Sequence, residues 1–304
     1  MVTESTRQEI VAFVDFSSCS LSALAQASRL ARARGLTLRV IHVVDTNVVE
    51  ELAVALKQEF SSLSAEVRTD NQTRLQSAVD ATHVGLNAHT EVVIGKVAEE
   101  VIRVLRSPSV ALTVLGATGE SDGTGAGRLA KLCVRKAEVP TLLVRANHKE
   151  DFRVVLVGVD FSDTSRIALR EAIRLARAEG AKLVVVHSFT PPWIKLHYRA
   201  PTPEAEPRFI QQYSDALRLR LEGFSRSTSE SLEGLDSQFV LQQALTHGDG
   251  LIRAVEVYGA DVLVLGTQGR SLLRSRLLGS TAERVLAAAP CSMVTVPPAE
   301  FAAP

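Results

Sequence analysis

The sequence predicts an α/β fold formed twice, as two repeated three-layer α/β/α domains. The length of 304 residues corresponds to two domains at about 100–200 residues each. The segment Ile10–His42 aligns without gaps with Val155–His187, and about half of the aligned positions are identical. In each copy, short apolar runs alternate with stretches of helical spacing. This pattern is typical of parallel strands buried between helices.

Five short apolar runs, most of them rich in β-branched residues, predict five buried strands in the second copy. They are Val154–Val159, Leu183–Val186, Phe239–Leu245, Asp261–Leu265 and Met293–Val296. The first helix is predicted over Thr164–Glu179, where apolar residues recur at helical spacing, and Gly180 is expected to end it. Three further helices are predicted at Phe209–Ser231, Leu251–Tyr258 and Ser280–Ala289.

The polar stretch 145–151 separates the two copies, which predicts domains at residues 1–147 and 152–304. Lysine plus arginine and aspartate plus glutamate both number 34, and aromatic residues make up 5%, so nucleic-acid binding is not expected. No apolar run reaches about 18 residues, so no membrane span is expected. The polar start Met1–Glu9 has no signal core, and three scattered cysteines indicate reduced thiols. We therefore expect a cytoplasmic protein.

The most informative segment runs from Gly266 to Thr281 and has the form G-x2-G-x9-G-S-T. It lies between a predicted strand and a predicted helix. Glycines allow backbone N–H groups to approach an anion closely, and a helix N-terminus favours phosphate. The alternative is structural, because Ser280 and Glu283 fit a capping box and the glycines fit turns. The spacing by itself leaves both interpretations open.

This segment, the opening Gly158–Ser162 (GVDFS) and the ending Ala289–Cys291 (APC) together resemble the universal stress protein family. The resemblance covers nearly the whole chain in two copies. It implies a five-stranded parallel sheet of adenine-nucleotide α-hydrolase-like topology in each domain. It also implies a stress-response regulatory protein that binds ATP, with or without Mg²⁺, mainly in the second domain.

The resemblance assigns site residues one at a time. Asp160 matches the acidic residue near adenine and ribose, with a cap on the following helix as the structural alternative. His187 and Ser188 match the strand end where the backbone meets adenine, and a core histidine is the alternative for His187. The loop that contacts ribose and phosphates matches Gly266, Gly269, Gly279, Ser280 and Thr281. The arginines of this loop, at 270, 274 and 276, would either add positive charge to the phosphate site or simply be solvated.

The first copy departs from the motif. From Gly116 it reads G-x2-G-x7-G, and Arg128 and Leu129 stand where the second copy has its hydroxyl pair. Glu120 and Asp122 add negative charge where phosphate would lie. We therefore expect a degenerate, empty site in this domain.

Other features leave the function open. No catalytic motif or metal-ligand spacing is present in the sequence, so a weak ATPase or an interaction module without nucleotide are the alternatives.

The proline-rich segment Thr190–Pro207 is either a surface connection or a lid or docking loop anchored by Trp193 and Tyr198. An internal pseudo-dimer through Thr141–Val144 and Met293–Val296 is expected, whereas a homodimer of whole chains and the protein partner are undetermined.

Overall fold

The structure is a computed structural model that describes residues 9–82, 88–118, 125–146, 148, 150–193, 206–269 and 278–299. The chain divides into two compact units. Among the described residues, those up to Asp151 form unit 1 and those from Phe152 to Ala299 form unit 2. No helix within the described ranges is both long and apolar enough to cross a membrane.

Unit 1 alternates strands and helices. Its strands are β1 (Glu9–Phe13), β2 (Thr37–Asp45), β3 (Ala88–Gly95), β4 (Val110–Gly116) and β5 (Thr141–Val144). Its helices are α1 (Ser18–Arg34), α2 (Thr46–Leu56), α3 (Phe60–Asp80), α4 (Val97–Leu105) and α5 (Arg128–Lys136). All strand pairs in this unit are parallel, and the order across the sheet is β3-β2-β1-β4-β5.

Unit 2 repeats this arrangement. Its strands are β6 (Val154–Gly158), β7 (Lys182–Phe189), β8 (Ser237–Gln243), β9 (Val262–Gly266) and β10 (Ser292–Val296). Its described helices are α6 (Asp163–Glu179), α7 (Glu206–Arg226), α8 (His247–Tyr258) and α9 (Ser280–Ala288). The strands are again parallel, in the order β8-β7-β6-β9-β10. The predicted fold class and the five strands of each sheet are confirmed.

The core of unit 2 follows the apolar pattern of the sequence. Val155, Leu156 and Val157 of β6 are fully buried, as expected for a central strand covered on both faces. Helix α6 buries one apolar stripe and ends at Gly180, which has φ +63° and donates its N–H to carbonyls of the last turn. Only glycine adopts this left-handed backbone at little steric cost, so the predicted helix end is confirmed.

Two element bounds differ from the sequence prediction in ways that affect the cleft. Strand β7 was expected to end at Val186, but it continues to Phe189 because it pairs with β8 as far as Gln243. Helix α8 begins at His247, a turn before the predicted Leu251, because the side chain of Thr246 caps it by accepting the Asp249 N–H. Both extensions bring polar residues to the carboxyl end of the sheet.

The strand order creates a crevice at the same end of each sheet. In unit 2 the chain passes from β6 to β7 on one side, whereas β9 lies on the other side of β6. Connections on the two sides diverge, which leaves an opening at the carboxyl ends of the central strands. Ligands of open parallel sheets bind at this position.

Candidate functional site

A cavity of about 400 Å³ lies in the crevice of unit 2. Its floor is the carboxyl ends of β6, β7 and β9, and its walls include the first turns of α8 and α9. Its volume falls in the range of about 300–1,000 Å³ typical of small-molecule sites. All eight site residues expected from the sequence line it: Asp160, His187, Ser188, Gly266, Gly269, Gly279, Ser280 and Thr281.

Asp160 is held by the turn that joins β6 to α6. Its Oδ1 accepts hydrogen bonds from the Ser162 N–H at 3.0 Å and the Ser162 hydroxyl at 2.5 Å. The cap of α6 is Ser162, which accepts the Ser165 N–H, so the alternative role of Asp160 as the cap is wrong. Asp160 fixes the capping serine and keeps its second oxygen, Oδ2, on the side of the loop after β9.

Side chains approach two of the loop glycines closely. A Cβ placed on Gly269 would lie 2.6 Å from Asp160 Oδ2. A Cβ placed on Gly266 would lie 2.8 Å from the Thr164 methyl group. Both distances are too short for a real side chain, so these positions bring bare backbone against Asp160 and the start of α6.

The capping box, which was the alternative interpretation of Ser280 and Glu283, does not form at α9. The cap is Gly279, one residue before the predicted Ser280, and no side chain caps the helix. Gly279 takes this position because its N–H donates to the Thr267 carbonyl at 2.8 Å, which closes the loop. Ser280 and Thr281 are therefore the first two helical residues. The first turn of α9 lines the cavity, and no side chain caps its N–H groups. The loop arginines 270, 274 and 276 lie outside the described residues.

His187 serves the fold as well as the cavity. Its Nδ1 donates to the Val159 carbonyl at 2.7 Å, and its ring contacts Phe161 with 4.4 Å between centroids. Burial lowers the pKa of His187 below its usual value, and the hydrogen bond to Val159 opposes this only in part. The core-histidine interpretation and the cavity position both hold for this residue.

The sequence analysis missed His247. This residue opens α8 and lines the cavity, where its Nδ1 donates to the Ser188 carbonyl at 2.7 Å. The local signal was Thr246, a good capping residue followed three positions later by Asp249. A helix predicted from this capping residue begins at His247. Leu251, one turn later, supplies an apolar wall of the cavity.

A stacked group of side chains was also missed, and it occurs in both units. In unit 2 the Arg220 guanidinium lies 4.1 Å from the centroid of the Phe161 ring, which in turn contacts His187. In unit 1, Arg74, Phe16 and His42 form the same stack, with distances of 4.1 and 4.6 Å. Because both units have it, the stack belongs to the fold and does not distinguish one cavity from the other.

The corresponding cavity of unit 1 is smaller and more apolar. It measures about 120 Å³, below the usual range for ligand sites. Val43, Val97 and Leu129 line it at the positions where unit 2 has Ser188, His247 and Thr281. Its loop closes in the same way, because the Gly127 N–H donates to the Ala117 carbonyl at 2.8 Å. Glu120 and Asp122, expected to repel phosphate, lie outside the described residues.

The start of the proline-rich segment packs against α7. Trp193 forms edge-to-face contacts with Phe209 and Tyr213, with centroid distances of 5.2 and 5.3 Å. Tyr213 also contacts Phe189 at the end of β7. Trp193 is thus an anchor of the segment on its own unit, while Tyr198 and the remainder up to residue 205 lie outside the described residues.

Sequence comparison finds two matches to the universal stress protein family, over residues 6–145 and 151–297. A Thermus aquaticus protein named universal stress protein in QAH/OAS sulfhydrylase 3′ region is 31% identical over 147 residues, covering 48% of this chain and 98% of that protein. A universal stress protein of Mycobacterium tuberculosis is 28% identical over 209 residues. That alignment covers 62% of this chain and 65% of the relative.

Solved structures show the same fold over almost the whole chain. A universal stress protein from Archaeoglobus fulgidus superimposes with a TM-score of 0.60 at 18% identity, covering 95% of this chain and 98% of that one. A functionally unknown protein from Pseudomonas aeruginosa gives a TM-score of 0.66 at 16% identity, covering 98% and 96%. At this level of identity the likeness concerns the fold alone.

Proposed function

Because the chain belongs to the universal stress protein family, with one family domain in each half, we propose that it is a stress-response regulatory protein that binds ATP in the cavity of unit 2. One observation carries the proposal. Eight residues chosen from the sequence for adenine-nucleotide binding line a single cavity at the point where the strand order reverses.

The lining of the cavity suits both the phosphates and the base of a nucleotide. Gly269 and the first turn of α9 offer backbone N–H groups and the positive end of the helix dipole to phosphates. The hydroxyls of Ser280 and Thr281 add donors there. Val159, Leu251 and Leu265 provide apolar surface in the lining for a flat base.

Asp160 lies beside Gly269 in the lining and suits the ribose. Its Oδ2 is directed toward the Gly269 backbone, and a carboxylate accepts hydrogen bonds from ribose hydroxyls. Where Mg²⁺ accompanies ATP, the phosphates would hold it, since Mg²⁺ binds through substrate phosphates and one or two carboxylates. Asp160 is the carboxylate among the described residues that line the cavity.

Each ionisable side chain of the cavity is held in place by a hydrogen bond. Asp160 is bonded to Ser162, His187 to the Val159 carbonyl and His247 to the Ser188 carbonyl. These bonds fix the orientation of the three side chains toward a ligand. A regulatory role in the cytoplasm also suits the three cysteines, which are all buried and unbridged.

The test is to release and identify the nucleotide that copurifies with the protein by mass spectrometry, and then to titrate ATP into nucleotide-free protein by calorimetry. We expect an adenine nucleotide in the first measurement and saturable ATP binding in the second. Protein that is folded, free of nucleotide and unable to bind ATP would refute the proposal. Rapid ATP turnover by the purified protein would replace the regulatory role with an enzymatic one.

A further inference from the structure

One backbone carbonyl of β7 points into the cavity. The Val186 carbonyl accepts the Val159 N–H at 2.9 Å, on the β6 side. The Phe189 carbonyl accepts the Ala244 N–H at 3.0 Å, on the β8 side. Because carbonyls alternate sides along a strand, the Ser188 carbonyl points the same way as that of Val186. Strand β6 has ended by then, so the Ser188 carbonyl faces the crevice.

His247 covers this carbonyl with its ring. The distance from His247 Nδ1 to the Ser188 oxygen is 2.7 Å. A carbonyl can only accept, so Nδ1 carries the hydrogen, and Nε2 of the neutral ring presents a lone pair. Within the described part of the chain, no residue hydrogen-bonds to Nε2. The Ser188 carbonyl is thus occupied by His247, and the acceptor available at the mouth of the cavity is Nε2 of the His247 ring.

We propose that His247 is a specificity-determining residue that selects purine bases with a 6-amino group over those with a 6-oxo group. The inference rests on the proposed function, because it assigns a role toward the base of a nucleotide bound in the same cavity. An exocyclic amine donates to the Nε2 lone pair, whereas a 6-oxo oxygen would place two acceptors against each other. Such a mismatch discriminates between ligands by about tenfold or more.

The position of the ring supports a role toward the base instead of the phosphates. His247 is bonded to β7, which also contributes Ser188, and it stands one helical turn before the apolar Leu251. In unit 1, the first residue of the corresponding helix α4 is Val97, which has no acceptor. The variant His247→Val therefore copies a residue that the same fold already accepts at this place.

The experiment compares ATP with inosine 5′-triphosphate, which has the same ribose and phosphates and a 6-oxo group. Both are titrated calorimetrically at pH 8, above the range in which imidazoles usually titrate. The wild type should bind ATP about tenfold or more tightly than inosine triphosphate. His247→Val should reduce this ratio to about one, chiefly by weakening ATP. His89→Val, at an exposed histidine of β3, is the matched control and should keep the wild-type ratio.

The outcomes distinguish the role of His247 from the proposed binding of ATP in unit 2. If the wild type binds both nucleotides equally, or if His247→Val keeps the preference for ATP, the role of His247 is wrong while nucleotide binding in unit 2 stands. If the folded wild type binds neither nucleotide, the proposed function fails and the role of His247 fails with it. Circular dichroism of His247→Val should match the wild type, since Thr246 still caps α8.

Discussion

At the scale of single residues, the position of Ser280 separates ligand chemistry from helix stability. Had Ser280 been the cap of α9, removing its hydroxyl would have weakened the helix and the site together. The cap is Gly279, and Ser280 is the first helical residue with no capping hydrogen bond. Its hydroxyl can therefore be removed without loss of a cap.

Ser280→Ala should leave the free energy of unfolding nearly unchanged. It should weaken ATP binding about tenfold or more, because it removes a hydrogen bond to a charged group. Calorimetric titration and urea denaturation measure the two effects. Ser17→Ala is the matched control, because Ser17 does cap α1 by accepting the Ser20 N–H. That control should cost about 0.5–2 kcal/mol of stability and leave ATP affinity unchanged. Unchanged ATP affinity in Ser280→Ala would show that its hydroxyl has no part in binding.

Gly269→Ala should abolish or strongly weaken ATP binding, because the new methyl group would lie 2.6 Å from Asp160 Oδ2 and must displace the carboxylate or the loop. Gly223→Ala is the comparison, since that glycine is in α7 and nothing lies within 4 Å of an added Cβ. Replacing a helical glycine by alanine should stabilise the protein by about 1 kcal/mol. Binding by Gly269→Ala at wild-type affinity would contradict the close approach of loop and Asp160.

At the scale of elements, the junction between the first strand and first helix is built identically in both units. Phe16 and Phe161 have left-handed backbones, with φ of +63° and +65°. His42 and His187 donate to the carbonyls of Val14 and Val159. The arginine stacked on each phenylalanine ring holds the turn from the outside. The side-chain contacts offset the cost of an unfavourable backbone conformation.

This junction predicts a dependence of stability on pH. Burial is the main reason that the pKa of His42 and of His187 falls below the usual 6.5 in the folded protein, and hydrogen bonds to backbone carbonyls oppose it only in part. The unfolded chain then binds protons more readily than the folded chain, so stability is lost as pH falls below about 6.5. Each unit of pKa lowering corresponds to about 1.4 kcal/mol.

Urea denaturation at pH 7.5 and pH 5.5 measures this effect. The wild type should be less stable at pH 5.5, and the double variant His42→Gln with His187→Gln should lose less stability over the same interval. Glutamine is chosen because its amide can still donate to a backbone carbonyl. An equal loss in both proteins would show that other groups cause the dependence.

At the scale of the whole molecule, the duplication has produced two units of the same fold and different cavities. Unit 2 has about 400 Å³ with hydroxyl and imidazole groups, whereas unit 1 has about 120 Å³ with Val43, Val97 and Leu129 in their place. A polar nucleotide would leave hydrogen-bonding groups unpaired against these apolar side chains. The asymmetry suits one binding domain and one domain with a structural or regulatory role.

The expected stoichiometry is one ATP per chain, measured by calorimetric titration of protein at known concentration. Gly269→Ala in unit 2 should remove the binding, and Leu129→Thr in unit 1 should not add a second site, because Val43 and Val97 still fill the cavity. Two equivalent sites in the wild type would contradict this prediction.

The internal pseudo-dimer stays a prediction of the sequence, made from the apolar edge strands β5 and β10. An unpaired edge strand leaves every second backbone N–H without a strand partner. If these strands are covered, hydrogen–deuterium exchange should be slow at all their amides. Fast exchange at alternate amides of Thr141–Val144 and Ser292–Val296 would argue against the pseudo-dimer.

The sequence by itself determined the duplication and the order of strands and helices in unit 2. These follow from local signals, namely apolar runs and helical spacing. The resemblance to the universal stress protein family supplied eight of the residues that line the cavity. The loop Gly266–Thr281 could be found in this way because its residues are close along the chain. Gly180 could be assigned as a helix end because a single residue with φ +63° leaves a local signature.

Only the tertiary structure decided how those residues meet. The bond from His247 to Ser188 joins two elements 59 positions apart, and it depends on the length of β7 and the first turn of α8. The cap of α9 is Gly279 and not Ser280 because the Gly279 N–H donates to the Thr267 carbonyl. This contact crosses the loop, and the sequence pattern of a capping box does not include it. The Phe161 stack likewise needs Arg220 from a distant helix. Such contacts depend on register and packing, which local periodicity does not encode.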